Sequence, residues 1–220
     1  MKSNLIFIDG VEGSGKSTTI SALTQKLTEL GKTWKVVKFP ACFDNDVFSK
    51  LLRSRLFVDK GDVPTRQNVV DFSLFFANAL LNYEKIVQYL NEGIDYVICD
   101  RSIISIFVYQ RDILSVYEDY DDIMVDILEV ICDILLNIPD VNVNTFIFYA
   151  EEQVLKNRIS ARNKNNAQNK INFHRIDDLV NRFRKDESLY SNYRALISHV
   201  HFIDTTDCET SNIVEKILTS

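Results

Sequence analysis

Short apolar runs alternate along the chain with longer amphipathic segments. Residues 5–8 form an apolar run that ends at Asp9 and Gly10, and residues 16–30 then carry apolar side chains three or four positions apart, before Gly31. Apolar residues at this spacing lie on one face of a helix, and a glycine just past the last turn is typical of a helix C-cap. The start of the chain therefore predicts a buried strand, a glycine-rich loop and a helix.

The same alternation continues to the end of the chain. It predicts further strands over residues 34–39, 96–99, 145–149 and 200–203, a turn over 59–64, and further helices over 47–57, 65–93, 123–138, 151–162, 176–198 and 211–218. Elements that alternate without Pro- or Gly-rich linkers favour one α/β domain over residues 1–220, with parallel strands and helices on both faces. Residues 163–172, rich in Asn and Lys, are expected to form a mobile surface loop.

Composition narrows the class of protein. The 220 residues are 46% hydrophobic and 25% charged, which is ordinary for a globular domain, and the net charge of -6 disfavours a nucleic-acid partner. The four cysteines include no CxxC pair, which favours neither a zinc site nor a disulfide framework. No apolar run approaches the roughly 18 residues that span a membrane. We therefore expect a cytoplasmic protein that binds neither nucleic acid nor membrane.

The glycine-rich stretch FIDGVEGSGKSTT matches the pattern G-x-x-x-x-G-K-[ST] and lies between a predicted strand and a predicted helix, as the pattern requires. In such loops the backbone N–H groups point at a phosphate, the lysine reaches the outer phosphates and the hydroxyl ligates Mg²⁺. The sequence therefore predicts nucleotide binding, but ATPases, GTPases, helicases and kinases all use this loop. The residues expected to hold the nucleotide are Gly10, Val11, Glu12, Gly13, Ser14, Gly15, Lys16, Ser17 and Thr18.

Two charged residues follow the third predicted strand. Asp100 can hold magnesium, and Arg101 points a fixed cation at the same crevice, where it could bridge two phosphates. A hydrolase would more naturally carry a water-activating carboxylate there, so Arg101 favours transfer to a second phosphate. Several basic residues surround the Asn-rich loop, and a lid of about residues 158–175 could close over the nucleotide. These basic residues are Lys156, Arg158, Arg162, Lys164, Lys170 and Arg175.

In order, and over most of its length, the chain resembles thymidylate kinases, which are nucleoside monophosphate kinases. The matching segments are IDGVEGSGKSTT, KFP, FFANALLNYE, CDRSIISIFVYQ, LKNRISAR and HRIDD. The resemblance implies a P-loop three-layer α/β/α fold with a five-stranded parallel sheet in the order 2-3-1-4-5 and a mobile lid. It also implies ATP with Mg²⁺, transfer of the γ-phosphate to dTMP to give dTDP, and a homodimer.

The resemblance also implies roles for individual side chains. Lys16, Arg101, Arg158 and Arg162 would stabilise the transferring phosphoryl group, and Ser17 and Asp100 would serve the metal. In one branch of the family a basic residue stands at the position of Gly13, so here the donor-side cation is expected from Arg158 and Arg162. Glu12 would face the acceptor sugar and Phe75 would stack on its base. The acceptor site would comprise Glu12, Phe39, Pro40, Phe75, Asn78, Arg101, Ser105 and Tyr109.

Three positions depart from the family pattern. Cys42 stands where an arginine for the acceptor phosphate is usual, Ala79 where an arginine reads the thymine, and Ser102 where Tyr or His follows Asp-Arg. The sequence does not identify a replacement among Arg53, Arg55 and Arg66. A broad-specificity deoxynucleoside monophosphate kinase therefore stays open beside thymidylate kinase.

The same residues bear on two other functions. A deoxynucleoside kinase needs a base for the sugar hydroxyl, but no carboxylate occurs between Lys38 and Asp44, where such enzymes place one. A monophosphate acceptor is already ionised and needs no base. A non-catalytic nucleotide-binding protein is the other alternative, against which the complete donor set of Lys16, Ser17, Asp100 and Arg101 argues.

Overall fold

The computed structural model describes residues 2–40, 68–114, 120–136, 140–163, 176–185 and 199–220. The helix predicted over residues 47–57 and the turn over 59–64 lie outside the described residues. So do Cys42, the candidate arginines Arg53, Arg55 and Arg66, and the lid residues 164–175.

Five parallel strands form one sheet. They are β1 (Ser3–Gly10), β2 (Trp34–Lys38), β3 (Tyr96–Asp100), β4 (Val141–Tyr149) and β5 (His199–Asp204), in the order β2-β3-β1-β4-β5. This confirms the predicted fold class and strand order. β4 begins four residues before the predicted start at residue 145, and Asn142 of that extension donates to the side chain of Asn4 on β1 at 3.4 Å.

Seven helices are described. They are α1 (Lys16–Glu29), α2 (Asn68–Asn91), α3 (Ile103–Leu114), α4 (Tyr120–Leu136), α5 (Glu152–Asn163), α6 (Ile176–Lys185) and α7 (Thr210–Thr219). The pattern of apolar residues did not predict α3. Its residues 103–108 are all buried, so the helix has no polar face in its first half from which a stripe could be recognised.

The sheet separates two hydrophobic layers, because successive side chains of a strand point to opposite faces. Leu5 and Phe7 of β1 face the larger layer, which is built with α2 to α6, whereas Ile6 and Ile8 face the smaller layer, built with α1 and α7. The structure is thus the expected three-layer arrangement of helices, sheet and helices. No helix among the described residues is long and apolar enough to cross a membrane.

The predicted glycine C-cap is present after α1, and α2 ends with a cap of the same kind. Gly31 has a φ of 67°, its N–H donates to Thr28 O, and the N–H of Lys32 donates to Leu27 O, which is a Schellman motif. Gly93 ends α2 in the same way. Both turns lead the chain back to the sheet, where the carboxyl ends of β1 and β3 meet through the pairing of Ile8 with Asp100.

Candidate active site

The loop after β1 wraps around the side chain of Lys16. The Lys16 ammonium donates to Gly10 O at 2.9 Å, to Val11 O at 2.6 Å and to Ser14 Oγ at 3.4 Å. Gly15, with a φ of 89°, lies immediately before α1, so the first N–H groups of that helix open onto the loop. Open N–H groups at the N-terminus of a helix favour an anion.

Lys16 carries a weakened positive charge. Burial lowers the pKa of its ammonium, the charge of Arg101 lowers it further, and the result is about 7. Asp100, Asp9 and Glu12 act in the opposite direction. A phosphate at this position would restore the charge, because no carboxylate in the described part of the chain forms an ion pair with the ammonium and Arg101 repels it.

Arg101 reaches the same place from the end of β3. Its Nη1 donates to Gly10 O at 3.2 Å and to Ser105 Oγ at 3.3 Å, and its guanidinium lies over the Tyr109 ring at 5.2 Å from the centroid. Burial opposes its charge, but Tyr109, Asp100 and Asp9 together raise the pKa of the guanidinium. Lys16 and Arg101 therefore place two cations around one carbonyl oxygen.

Asp9 is a buried carboxylate behind this pair, and sequence reasoning missed it. Its Oδ1 accepts from Ser102 N at 3.0 Å and Ser105 Oγ at 2.5 Å, and its Oδ2 accepts from Ser102 Oγ at 2.6 Å. Burial raises the pKa of Asp9, whereas the two serines and Arg101 lower it. The one available signal was a carboxylate that interrupts the end of an apolar strand.

Helix α5 packs directly against the phosphate loop. A Cβ on Gly13 would lie 3.1 Å from Ile159 Cγ1 and 3.3 Å from Leu155 O, and Gly13 has a φ of 80°. A side chain at Gly13 is therefore disfavoured both by backbone conformation and by α5. The absence of a basic side chain at position 13 is thus consistent with how closely α5 packs on the loop.

Arg158 and Arg162 lie on α5 at the edge of the loop. Arg158 donates to Gly13 O at 3.4 Å, to Thr205 O at 2.7 Å and to Thr206 O at 3.3 Å. Arg162 is more exposed than Arg158, and its Nη1 lies 3.7 Å from Glu12 Oε1. The described part of the proposed lid, residues 158–163, is therefore helical, and it brings both arginines to the loop.

Thr205, just after β5, is a second residue that sequence reasoning missed. Its side chain is buried, and its hydroxyl lies 3.0 Å from Ser14 O and 3.0 Å from Tyr149 O. Arg158 also donates to this hydroxyl at 3.3 Å. Thr205 and Arg158 therefore join the phosphate loop to the segment after β5, and no local sequence pattern marks such a link.

The predicted acceptor residues are distributed over three elements. Ser105 and Tyr109 of α3 lie beside Arg101. Phe39 is buried, and its ring packs edge-to-face with the ring of Tyr83, with the two centroids 5.5 Å apart. The peptide bond between Phe39 and Pro40 is cis. On α2, Phe75 is half-buried against the core, and Asn78 is buried and accepts from Asn82 at 3.2 Å. The donor residues are thus gathered at the loop, and these acceptor residues lie along α2 and α3 and just after β2.

A family model for thymidylate kinase matches residues 8–207. This chain belongs to the thymidylate kinase family. It is a phosphotransferase, and the family's reaction is phosphorylation of dTMP by ATP. No curated protein matches the sequence.

A solved structure is similar over the whole length of the kinase. The thymidylate kinase from Ehrlichia chaffeensis is 19% identical, and the match covers 100% of this chain and 98% of that chain with a TM-score of 0.58. At this identity the likeness shows the fold. The fold and the family therefore agree with each other.

Proposed function

We propose that the kinase transfers the γ-phosphoryl group of MgATP directly to the phosphate of dTMP between Lys16 and Arg101. One observation supports this more than any other: the two cations donate to the same atom, Gly10 O, at 2.9 Å and 3.2 Å. Lys16 is the first residue of α1, directly after the donor loop, and Arg101 lies between β3 and α3. Their convergence creates a positive point between the donor side and the acceptor side, where charge spreads over the transferring group.

Phosphoryl transfer to dTMP does not require a general base. The acceptor phosphate is already ionised, so no base has to remove a proton from it. Positioning and electrostatic stabilisation can supply the catalysis. Arg158 and Arg162 add positive charge from α5, and closure of residues 158–175 would exclude the water that competes with dTMP.

Magnesium fits the oxygen donors at the loop. Ser17 supplies a hydroxyl on the first turn of α1, and Asp100 supplies a carboxylate close enough to raise the pKa of Lys16. Hard cations prefer such oxygen ligands, and bound Mg²⁺ neutralises phosphate charge. No three acidic, His or Cys side chains of the described ranges form a metal cluster by themselves. Phosphate oxygens would therefore complete the coordination.

On the acceptor side, we propose that Ser105 and Tyr109 line the sugar and base pocket next to Arg101. Phe75 would stack on the base, with Asn78 on the same helix and with Glu12, Phe39 and Pro40 around the sugar and phosphate. Ala79 is fully buried in the core. It offers the base no polar group, which supports a base selectivity weaker than that of members with an arginine at this position.

ADP formation measured with dTMP, dUMP, dGMP, dCMP and thymidine tests the proposal. We expect turnover with dTMP, slower turnover with other monophosphates, and none with thymidine. Arg101→Lys serves as the matched variant, because it keeps a charge but loses the planar donor to Gly10 O and Ser105 Oγ. Turnover of thymidine alone, or of no monophosphate, would contradict the proposal.

We also propose that the kinase is a cytoplasmic homodimer, as the family resemblance implies. Analytical ultracentrifugation at micromolar concentration tests the assembly, and a sedimentation coefficient of a 25.4 kDa monomer would contradict it.

A further inference from the structure

We propose that Asp9 is a positioning residue that holds Arg101 in its reactive orientation through Ser102 and Ser105. The proposal rests on the proposed function, in which Arg101 contacts the transferring group. Asp9 itself has no role in that function.

The first observation is that the Asp9 side chain is buried and fully hydrogen-bonded within the protein. Its side chain is 0% exposed, and both carboxylate oxygens accept hydrogen bonds, three in all, at 2.5–3.0 Å. All three donors belong to Ser102 and Ser105, at the beginning of α3. Asp9 therefore ties the end of β1 to the start of α3, across 93 or more positions of sequence.

The second observation concerns the backbone of Arg101. Its φ is 77°, in the left-handed region that a residue with a Cβ rarely adopts. Two hydrogen bonds flank this conformation: Arg101 N donates to Ile8 O at 2.9 Å, and Ser102 N donates to Asp9 Oδ1 at 3.0 Å. The strained residue is thus held from both sides by β1, and one of the two bonds depends on Asp9.

The third observation connects Asp9 to the guanidinium. Arg101 Nη1 donates to Ser105 Oγ at 3.3 Å, and Ser105 Oγ donates to Asp9 Oδ1 at 2.5 Å. Ser102 Oγ accepts from Ile104 N at 3.1 Å, so it also caps α3 while it donates to Asp9. Asp9 therefore fixes both the backbone and the side chain of Arg101. Ser102 acquires a role at the position where Tyr or His is usual.

Asp9→Asn tests the proposal, because it keeps the size of the side chain and removes its charge. We expect kcat with dTMP to fall on the order of 10²-fold, the scale of a displaced catalytic group, with little change in the KM for ATP. In an Arg101→Ala background the same substitution should change kcat by less than about twofold, since there is no guanidinium left to position. Equal losses in both backgrounds would overturn the proposal.

If Asp9→Asn does not fold, Ser105→Ala tests the same positioning role. It removes one hydroxyl, and it should lower kcat by a larger factor in the wild-type background than in the Arg101→Ala background. Ile104→Val is the matched control, because the Ile104 side chain is buried in the same turn of α3 and makes none of these hydrogen bonds, while the backbone N–H that donates to Ser102 Oγ is kept. It should lower the melting temperature and leave kcat unchanged.

A readout without catalysis separates this inference from the proposed function. In ¹⁵N-arginine NMR spectra, assigned with Arg101→Lys, the hydrogen-bonded guanidinium of Arg101 should show restricted rotation that Asp9→Asn and Ser105→Ala abolish. If dTMP is not turned over, the proposed function fails and these spectra still test the positioning. If dTMP is turned over and the spectra are unchanged in both variants, the positioning role is refuted.

Discussion

Nucleotide binding should be accompanied by uptake of a proton at Lys16. In the structure, burial and the charge of Arg101 lower the pKa of this ammonium to about 7. At pH 8 a group with this pKa is protonated in only about one molecule in ten. Phosphate oxygens next to the ammonium favour the charged form strongly, which returns the pKa toward its ordinary value. Binding at pH 8 should therefore take up about 0.9 proton per site.

The sign of the pH dependence follows from this uptake. Because the bound protein holds more protons than the free protein, the affinity for nucleotide should decrease as the pH rises above about 7. With an uptake of about 0.9 proton, Kd should increase roughly eightfold between pH 7.5 and pH 8.5. The loss should level off only above the pKa of the bound ammonium.

Isothermal titration calorimetry with ADP provides the assay. ADP is almost fully deprotonated at pH 8, so the difference in observed enthalpy between HEPES and Tris buffers reports the proton at the protein. Lys16→Arg is the control, because a guanidinium stays charged at this pH and should abolish the uptake. An uptake near zero in the wild type, or the same uptake in Lys16→Arg, would refute the assigned environment of Lys16.

Two further predictions concern the packing of α5 on the phosphate loop. Gly13→Ala should lower the free energy of unfolding by about 2–4 kcal/mol, because the strain of a positive φ and the close contact with Ile159 both contribute. Gly31→Ala should lower it by only about 1–2 kcal/mol, because Gly31 also has a positive φ but a Cβ there would meet no neighbouring atom. Urea denaturation measures both, and equal losses would contradict the contact. Arg158→Met should lower both kcat and stability, the latter by about 1–2 kcal/mol, because the carbonyls of Gly13, Thr205 and Thr206 lose a charged donor. Arg162→Met should lower kcat but change the free energy of unfolding by no more than about 0.5 kcal/mol, because the ion pair between Arg162 and Glu12 is exposed to solvent. If the two variants are equally stable, Arg158 does not support the loop.

The sequence predicts what is local in this fold. The glycine loop, the apolar stripe of α1 and the glycine C-cap that ends this helix each follow from residues close together in the chain, and the structure contains all of them. Helix α3 is different. It contacts α2, α6 and β1, and its residues 103–108 are all buried, so this part of the sequence has no exposed polar face from which a helical period could be recognised.

The active site also contains some residues that local motifs predict and some contacts that they do not. Lys16 and Arg101 could be assigned from the motif and from the end of a strand. The bond between Ser102 and Asp9 joins residues 93 positions apart, and the bond between Thr205 and Ser14 joins residues 191 positions apart. Such pairings depend on the strand order of the sheet, and a single sequence carries no local signal for them.

The contact between Gly13 and α5 constrains how this loop can change by mutation. A basic residue introduced at position 13 alone would meet Ile159 Cγ1 at 3.1 Å from its Cβ and would have to adopt a φ of 80°. A smaller side chain at position 159 would have to precede or accompany it. We therefore expect positions 13 and 159 to vary together among homologues, so that the location of the donor-side cation is inherited as a pair of residues rather than gained in one step.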